Sequence, residues 1–520
     1  MSENLTLTSF EKSPKINNLL VLWLFSMVLC LCGVYITRDY LMDDALITLR
    51  YSYNFARHGI PIWNQADLAS PSMGYTSLLW MLINTMPALV VDNKAGLVIF
   101  AQLFSFIPLS IIVFLFAREI HSLSIPPVLK FASAFIVFSQ FGYGFHVNSG
   151  METMLFSCLT LMTVDSYGRG RYRLAYAFGS LSFLSRPEGA ILVALLCLWD
   201  VINRRVRQAF IGGVSFLVLL ATTLLLLYFW YGDVLPNTYY AKQEGINSEA
   251  LTRTIFFIAT LGLPFIIMSA YASFVLKNRS SIYMFVGAIT YMLYYTTVDP
   301  VMNVMSRYQW PTLVLLTCAS IPAVAPFYGS IKKYRVYVMA LLFMMLITNA
   351  GNGLGAAYFA SNTGHAMKNL MIIGKAMGEY RSPDKWLIYH DAGAVCYFSD
   401  WNTHEIIGLT NGALARGEIK LIDIYKNPNA QIVLRNFDLL HEGQQTEKDE
   451  FTKMLSQYGY EYVRDLPILS VPGQRDFVVA VYARDPDFAK TVFQNVKMAA
   501  PLKPNGLYFF YNIAREIVGR

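Results

Sequence analysis

The sequence predicts a polytopic α-helical membrane protein with a soluble α/β domain at its C-terminal end. Hydrophobic residues make up 55% of the 520 residues and charged residues only 14%, a balance typical of chains that cross a bilayer many times. Long apolar runs continue to about residue 350, where charged residues and short apolar runs replace them. We therefore expect a transmembrane domain over residues 1–350 and a soluble α/β domain over residues 351–520.

Apolar runs near the roughly 20 residues needed to cross a bilayer predict about eleven transmembrane helices. They cover residues 19–37, 76–92, 96–117, 128–146, 151–167, 174–200, 208–230, 253–275, 281–298, 310–328 and 335–350. The first is interpreted as an uncleaved membrane helix, because no small-residue cleavage site of a signal peptide is recognisable in it.

Basic residues between the apolar runs predict which loops face the cytoplasm, since Lys and Arg are enriched there. The basic clusters lie at residues 12–15, 204–207, 277–279 and 332–335. This orientation leaves outside the first loop (residues 38–75), residues 231–252, residues 299–309 and the C-terminal domain. Counting the predicted crossings along the chain places Arg169, Arg171 and Arg173 outside, against the enrichment of basic residues in cytoplasmic loops. Either a helix between residues 128 and 200 is re-entrant, or these arginines face an anionic partner.

The residues after position 350 predict alternating strands and helices. The runs 385–389 and 476–482 are typical of buried strands, and residues 442–457 are typical of a helix. Cys396 is the only cysteine of this part, so no disulfide is expected within it. Among the scattered histidines, His390 stands out because Asp391 follows it directly at the end of a predicted strand.

Several function classes are disfavoured. The net charge of +7 is modest, and no Lys/Arg run alternates with aromatic residues in a soluble segment, so no nucleic-acid partner is expected. The sequence also lacks the Gly-rich nucleotide-binding motifs, Cys/His zinc spacings and the nucleophile-elbow serine.

Two adjacent carboxylates, Asp43 and Asp44, lie in the first loop just after the first predicted helix. Neighbouring carboxylates repel each other, so one of them holds its proton more tightly than a lone Asp. Such a pair can supply a general base, a metal ligand or both. The alternative interpretation is a solvated acid pair, or acids in the first turn of a helix.

Four further polar groups interrupt apolar surroundings, where such residues are costly and usually functional. They contain Glu152, then Arg186 and Glu188 around the helix-breaking Pro187, then Asn237, Tyr239 and Lys242, and finally Arg307. Alternatives without chemistry exist for each. Arg186 and Glu188 can form an internal ion pair, and Glu152 can be a helix N-terminal charge. Lys242 and Arg307 can anchor at the interface. Basic groups collected near an acidic pair nevertheless suit a phosphate held at the membrane surface.

These motifs, in this order, resemble the GT-C superfamily of membrane glycosyltransferases. The matching residues are Asp43 to Asn54, Trp63-Asn64, Gly74 to Trp80, Gly150 to Thr153, Arg186 to Gly189, Tyr231 to Lys242, Arg307-Tyr308 and Asp391 to Ala394. Within the superfamily, the sequence resembles the arabinofuranosyltransferases that build the terminal linkages of mycobacterial cell-wall arabinan. The resemblance implies an enzyme of the bacterial inner membrane whose first loop and C-terminal domain are extracytoplasmic. It would transfer a sugar, such as arabinofuranose, from a polyprenyl-phosphate donor to a glycan, lipid-linked saccharide or protein.

The resemblance and the charges together imply a set of site residues. Asp43 acts as the base, and Asp44 tunes it or holds a divalent ion such as Mg²⁺ or Mn²⁺. Arg186, Lys242 and Arg307 bind the donor phosphate. Residues expected to orient sugar or acceptor are Glu152, Arg50, Tyr51, Glu188, Asn237 and Tyr239. A flippase for a lipid-linked saccharide, using the same cavity without covalent chemistry, is the alternative. A receptor or assembly factor that works through its outer domain is a third hypothesis.

Overall fold

Helices build the chain as far as Gly378 in the computed structural model, which describes residues 15–241, 248–297, 303–439, 443–471 and 475–500. The first helices are α1 (Lys15–Ile36), α2 (Asp43–His58), α3 (Leu78–Ala88), α4 (Lys94–Phe104), α5 (Phe106–Ser122), α6 (Pro127–Phe138), α7 (Gly142–Asn148), α8 (Thr153–Gly168) and α9 (Tyr172–Ser185). They continue as α10 (Gly189–Ile202), α11 (Val206–Tyr231), α12 (Asn237–Ala241), α13 (Ser248–Phe257), α14 (Leu263–Ala270), α15 (Arg279–Tyr295), α16 (Trp310–Ser320) and α17 (Val324–Gly378).

Among the described residues, five helical stretches are long and apolar enough to cross a membrane. They are Asn18–Ile36, Lys94–Ser122, Val206–Tyr231, Ser248–Val275 and Trp310–Tyr328. The pair α6 and α7 passes the same test together but is bent by 48° at its break. The chain is therefore a multi-pass membrane protein, as predicted, although several of the predicted spans are shorter or broken.

The predicted membrane helix over residues 76–92 needs correction. α3 has only 11 residues, against the roughly 20 that a crossing takes. Both flanks of α3 are hydrogen-bonded to the C-terminal part. Before α3, the Ser72 side chain donates to the carbonyl of Thr410, and after α3, the Lys94 side chain donates to the carbonyl of Tyr397. Both flanks therefore lie on the same side. The run is apolar because α3 buries residues such as Trp80 in a protein core instead of lipid.

The predicted span over residues 174–200 is two helices, α9 and α10, of 14 residues each. The break falls at Arg186 to Glu188, where the sequence places Pro187. A proline removes a backbone donor and disfavours helical geometry in the residue before it. Arg186 and Glu188 thus stand between helix ends rather than inside one helix.

The turn after α8 lies beside two other helix junctions. A Cβ on Gly168 would lie 2.5 Å from Ser280 Oγ, and Arg205 donates to the Tyr172 hydroxyl at 3.0 Å. Within this turn, Arg169 pairs with Asp165 at 2.9 Å and also with Glu119. The arginines near residue 170 therefore share one end of the bundle with the basic junctions near residues 205 and 279.

α17 is 55 residues long and runs across the predicted domain boundary at residue 350. The α/β part, residues 386–493, follows it. Its elements are β1 (Trp386–Tyr389), α18 (Ala394–Ser399), β2 (Asn402–Glu405), α19 (Gly412–Ala415), α20 (Leu421–Tyr425), β3 (Ala430–Asp438), α21 (Gln444–Ser456), β4 (Glu461–Val471), β5 (Arg475–Ala483) and α22 (Pro486–Phe493). The strands predicted at 385–389 and 476–482 and the helix at 442–457 correspond to β1, β5 and α21.

The strands form a five-stranded sheet in the order β2-β1-β3-β5-β4. β1 is parallel to β2 and β3, and β5 is antiparallel to β3 and β4. One buried apolar cluster joins this sheet to the first loop, since it contains Leu46 of α2, Trp80 of α3, Leu387 of β1 and Val479 of β5. Fully burying such side chains contributes about 1.5–3 kcal/mol each. The position of α2, and hence of Asp43 at its start, is therefore fixed partly by the α/β part.

Candidate active site

The acidic pair opens α2, as the first-turn interpretation predicted. The N–H of Met42, the residue before the pair, donates to the carbonyl of Ser149 at 3.1 Å. Both carboxylates are only partly buried. Their charges complement the N-terminal end of the helix dipole. This placement does not exclude chemistry, because each carboxylate meets a different partner.

Asp43 packs against the turn that follows β1. Its Oδ1 accepts a hydrogen bond from the N–H of Ala394 at 2.8 Å. A Cβ on Gly393 would lie 1.8 Å from the Cγ of Asp43, so only glycine leaves room for the carboxyl group. Burial raises the pKa of Asp43 to about 8, and the negative charges of Asp391 and Asp44 act in the same direction. Asp43 therefore holds a proton that an isolated Asp would release.

Asp391 brings a further carboxylate to this position. One of its oxygens accepts from the side-chain amide of Asn436, which in turn accepts from the Tyr389 hydroxyl at 3.0 Å. Its other oxygen lies 3.5 Å from His390 Nδ1. Burial raises the pKa of Asp391, with the charge of Asp44 adding to the effect. The motif Asp391 to Ala394 was visible in the sequence, but the predicted site did not include Asp391.

Asp44 faces Arg307, and its charge also acts on Asp391. The Arg307 Nη1 lies 3.7 Å from Asp44 Oδ2 and 3.1 Å from the Met42 sulfur. Arg307 Nε is buried and has no hydrogen-bond partner among the described residues. Met305 and Ser306, just before it, both adopt positive φ angles, 51° and 56°, which cost about 1–3 kcal/mol each in a non-glycine residue. The backbone is thus strained where it delivers a guanidinium group with a spare donor.

Arg186 already has acidic partners. Its Nε lies 3.0 Å from Glu188 and 3.6 Å from Glu152, and Glu188 also accepts from the Tyr295 hydroxyl at 3.0 Å. The geometry matches the ion-pair alternative for Arg186 and Glu188. It leaves Arg186 with less uncompensated charge for a phosphate than Arg307 has. The two guanidinium carbons lie 5.0 and 5.1 Å from the centre of the Tyr308 ring, which links the two clusters.

Arg50 and Tyr51 hold the first loop to its neighbours. Arg50 donates to the carbonyls of Trp63, Cys396 and Trp401 at 2.7–2.9 Å and lies over the Trp63 ring. The Tyr51 hydroxyl donates to the Ser72 carbonyl and accepts from the Gly74 N–H. Both side chains are buried. Their predicted role in orienting substrate stays a prediction, and their contacts assign them a structural task.

The site residues predicted between α11 and α13 make different contacts from those of Asp43, Asp44 and Arg307. Asn237 is buried and donates to Ser72 Oγ at 3.1 Å and to the Leu409 carbonyl at 3.2 Å. Tyr239 is 53% exposed. Lys242 lies outside the described residues. Asn237 therefore ties its segment to the first loop and to the α/β part.

The donor set does not fit a divalent ion. No group of three or more His, Cys, Asp or Glu side chains that could hold a metal occurs in the part of the chain that the structure describes. Asp44, the predicted ligand, faces the positive charge of Arg307, which competes with a cation. We therefore assign Asp44 no metal.

The fold described above is shared with solved structures. Two crystal structures of ArnT from Cupriavidus metallidurans share it. The apo structure aligns over 94% of this chain and 99% of ArnT, with a TM-score of 0.57 and 12% identity. The structure bound to undecaprenyl phosphate aligns over 92% and 99%, with a TM-score of 0.56 and 12% identity. The comparison thus shows that this chain and ArnT share a fold, and these structures do not support the arabinofuranosyltransferase branch.

Sequence comparisons add one match. A family model described as Domain of unknown function (DUF8728) matches residues 361–488. This region begins inside α17 and ends inside α22, so it contains the turn that contacts Asp43. No curated protein matches the chain.

Proposed function

We propose that this protein is a membrane glycosyltransferase that moves a sugar from a polyprenyl-phosphate donor to an acceptor on the side of the α/β part. The arrangement around Asp44 in the proposed GT-C fold carries the proposal. On one side lies Asp43, a base with a raised pKa, and on the other lies Arg307, a guanidinium group with a spare hydrogen-bond donor. The site would face the outside of a bacterial inner membrane. A pentofuranose such as arabinofuranose is the proposed sugar, and a glycan, lipid-linked saccharide or protein is the acceptor.

Asp43 is the proposed general base. An acceptor hydroxyl must lose its proton as it attacks the anomeric carbon, and a positioned carboxylate assists by about 10²–10⁴-fold. A pKa of about 8 makes Asp43 a stronger base than an ordinary Asp. Asp43 works only when it is deprotonated, so we expect transfer to rise with pH up to about 8.

Arg307 is the proposed partner of the leaving phosphate. The bond from the anomeric carbon to the phosphate oxygen breaks with its electron pair on oxygen, and fixed positive charge stabilises that oxygen. Arg307 Nε is buried and unpartnered among the described residues, which suits a phosphate oxygen as acceptor. Lys242 stays a second proposed contact. Arg186, with Glu152 and Glu188, is proposed to bind the phosphate more weakly and to orient the substrates through Tyr308.

Transport of a lipid-linked saccharide is the second hypothesis, since a flippase also needs a charged site beside apolar helices. It requires no base, whereas the turn at Gly393 and Ala394 holds Asp43 in one position beside Asp391. Substitution of Asp43 distinguishes the two hypotheses.

The test uses purified full-length protein with farnesyl phosphate linked to arabinofuranose, mannose or glucose, and a bacterial glycolipid extract as acceptor. Asp43→Asn should reduce release of farnesyl phosphate by about 10²–10⁴-fold, while donor binding persists. Asp92→Asn is the matched control, because Asp92 is exposed and pairs with Arg57 at the surface. Transfer at the wild-type rate by Asp43→Asn would refute the assignment, and absence of release by the wild type with every donor would favour transport.

A further inference from the structure

The α/β part contributes directly to the surroundings of Asp43. The hydrogen bond from Ala394 and the close approach of Gly393 both come from the turn after β1, about 350 residues along the chain from Asp43. Two residues before Gly393, that turn carries Asp391. The negative charge of Asp391 raises the pKa of Asp43 more than the charge of Asp44 does, although Asp44 is adjacent in sequence. Asp391 is therefore a spatial neighbour of Asp43 across the two parts.

Asp391 connects Asp43 to a histidine that reaches solvent. The Asp391 Oδ1 lies 3.5 Å from His390 Nδ1, and the two side chains are 32% and 36% exposed. His390 Nδ1 itself is buried without a hydrogen-bond partner among the described residues. The amide of Asn436 holds the second Asp391 oxygen, so the first oxygen stays directed at the imidazole. A carboxylate next to a partly exposed imidazole is the usual arrangement for moving a proton at neutral pH.

We propose that the proton taken up by Asp43 leaves the site through Asp391 and His390, so that the α/β part completes the catalytic centre. This inference rests on the proposed glycosyl transfer. The acceptor O–H bond breaks as oxygen bonds to the anomeric carbon, and Asp43 takes the proton. The proton then passes to Asp391, on to His390 Nδ1, and from the ring to water at the outer surface. The polyprenyl phosphate leaves with the electron pair of the broken bond, so charge and atoms balance.

The charged groups around this route explain its direction. Asp43 faces Asp391, Asp44 and the N–H groups of Gly393 and Ala394, while Asp391 faces His390, Asn436 and Asp44. The positive charge of Arg307 contacts Asp44, whereas His390 contacts Asp391. The Asp391 carboxylate therefore attracts a proton on Asp43 toward the α/β part, whereas on the other side Arg307 offsets the attraction by Asp44.

Kinetics with the donors named above test the route. His390→Gln should lower kcat by about tenfold at unchanged KM, and added imidazole should restore it, because imidazole carries the proton in place of the ring. Asp391→Asn should lower kcat and move the rising limb of the pH profile below pH 8, since a negative charge beside Asp43 is removed. His404→Gln is the matched control, as His404 stacks on Trp386 and contacts Asn427. Wild-type kcat in His390→Gln, or loss of kcat without imidazole rescue, would overturn the route.

A second measurement needs no substrate. Infrared difference spectra follow the C=O stretch of a protonated carboxyl group as pH is raised. The wild-type band should disappear near pH 8, and in Asp391→Asn it should disappear at lower pH. An unchanged midpoint in Asp391→Asn would refute the link between the two carboxylates. If the link holds but the wild type transfers no sugar, the proposed function fails by itself. If sugar is transferred but His390→Gln keeps full rate, only the proton route fails.

Discussion

Replacement of Gly393 by alanine tests the junction between Asp43 and the α/β part. The added Cβ would lie 1.8 Å from Asp43 Cγ and 1.8–2.0 Å from its oxygens. Gly393 has φ −92° and ψ −117°, and the space beside Asp43 is what the added Cβ would occupy. The carboxyl group must move by about 1 Å or more to reach ordinary contact, and a misplacement of that size costs about 10²-fold in rate. We expect Gly393→Ala to lower farnesyl phosphate release by about 10²-fold.

Stability measurements separate a local clash from general damage. Gly393→Ala should also lower the melting temperature, but this loss should largely disappear in an Asp43→Ala background, where the carboxyl group is absent. Gly355→Ala is the control, because a Cβ at Gly355 meets no atom within 4 Å. An equal loss of stability with and without the Asp43 carboxyl group would show that the two residues are not in contact, and would refute the geometry on which the base assignment depends.

Two other substitutions address single interactions. Arg50→Lys should destabilise the protein by about 3 kcal/mol, because at least two hydrogen bonds from a charged donor are lost, each worth about 1.5 kcal/mol or more. The melting temperature measures this loss of stability. Arg381→Lys is the control, because Arg381 is more exposed. Arg307→Gln should raise the donor KM by about 10- to 150-fold, the equivalent of one charge-assisted hydrogen bond of about 1.5–3 kcal/mol, and an unchanged KM would exclude a phosphate contact.

The sequence predicted those features that local patterns encode. Apolar runs located the helices, and the short runs 385–389 and 476–482 located β1 and β5. Pro187 correctly indicated a break. The run 76–92 was assigned to the membrane because apolarity does not distinguish a side chain buried in protein, such as Trp80, from one facing lipid. Orientation in three dimensions was needed to separate the two cases.

The site was predictable only in part, because its contacts join distant segments. Charge and the family resemblance together indicated Asp43, Asp44 and Arg307, and the structure brings the last two within 3.7 Å. The contact between Asp43 and Ala394 spans 351 positions, which no local pattern predicts. The Asp391 to Ala394 motif was the available sequence signal. The need for Gly393 becomes clear only in the structure, where the Asp43 side chain fills the space that a Cβ would occupy.

One set of membrane crossings would account for the arginines that opposed the predicted orientation. Suppose that α3 stays on one side because its two flanks do, and that α9, α10 and each of the other predicted spans cross. Every loop between residues 93 and 186 then changes side, and every later loop keeps its side. Arg169 then shares a face with Arg205, as the contact between Arg205 and Tyr172 and the approach of Gly168 to Ser280 require. Arg186 moves to the face of Asp44, as its shared contact with Tyr308 and Arg307 requires. With this set of crossings, the positive charges near residue 170 would follow the positive-inside tendency, and the C-terminal α/β part would keep its predicted side.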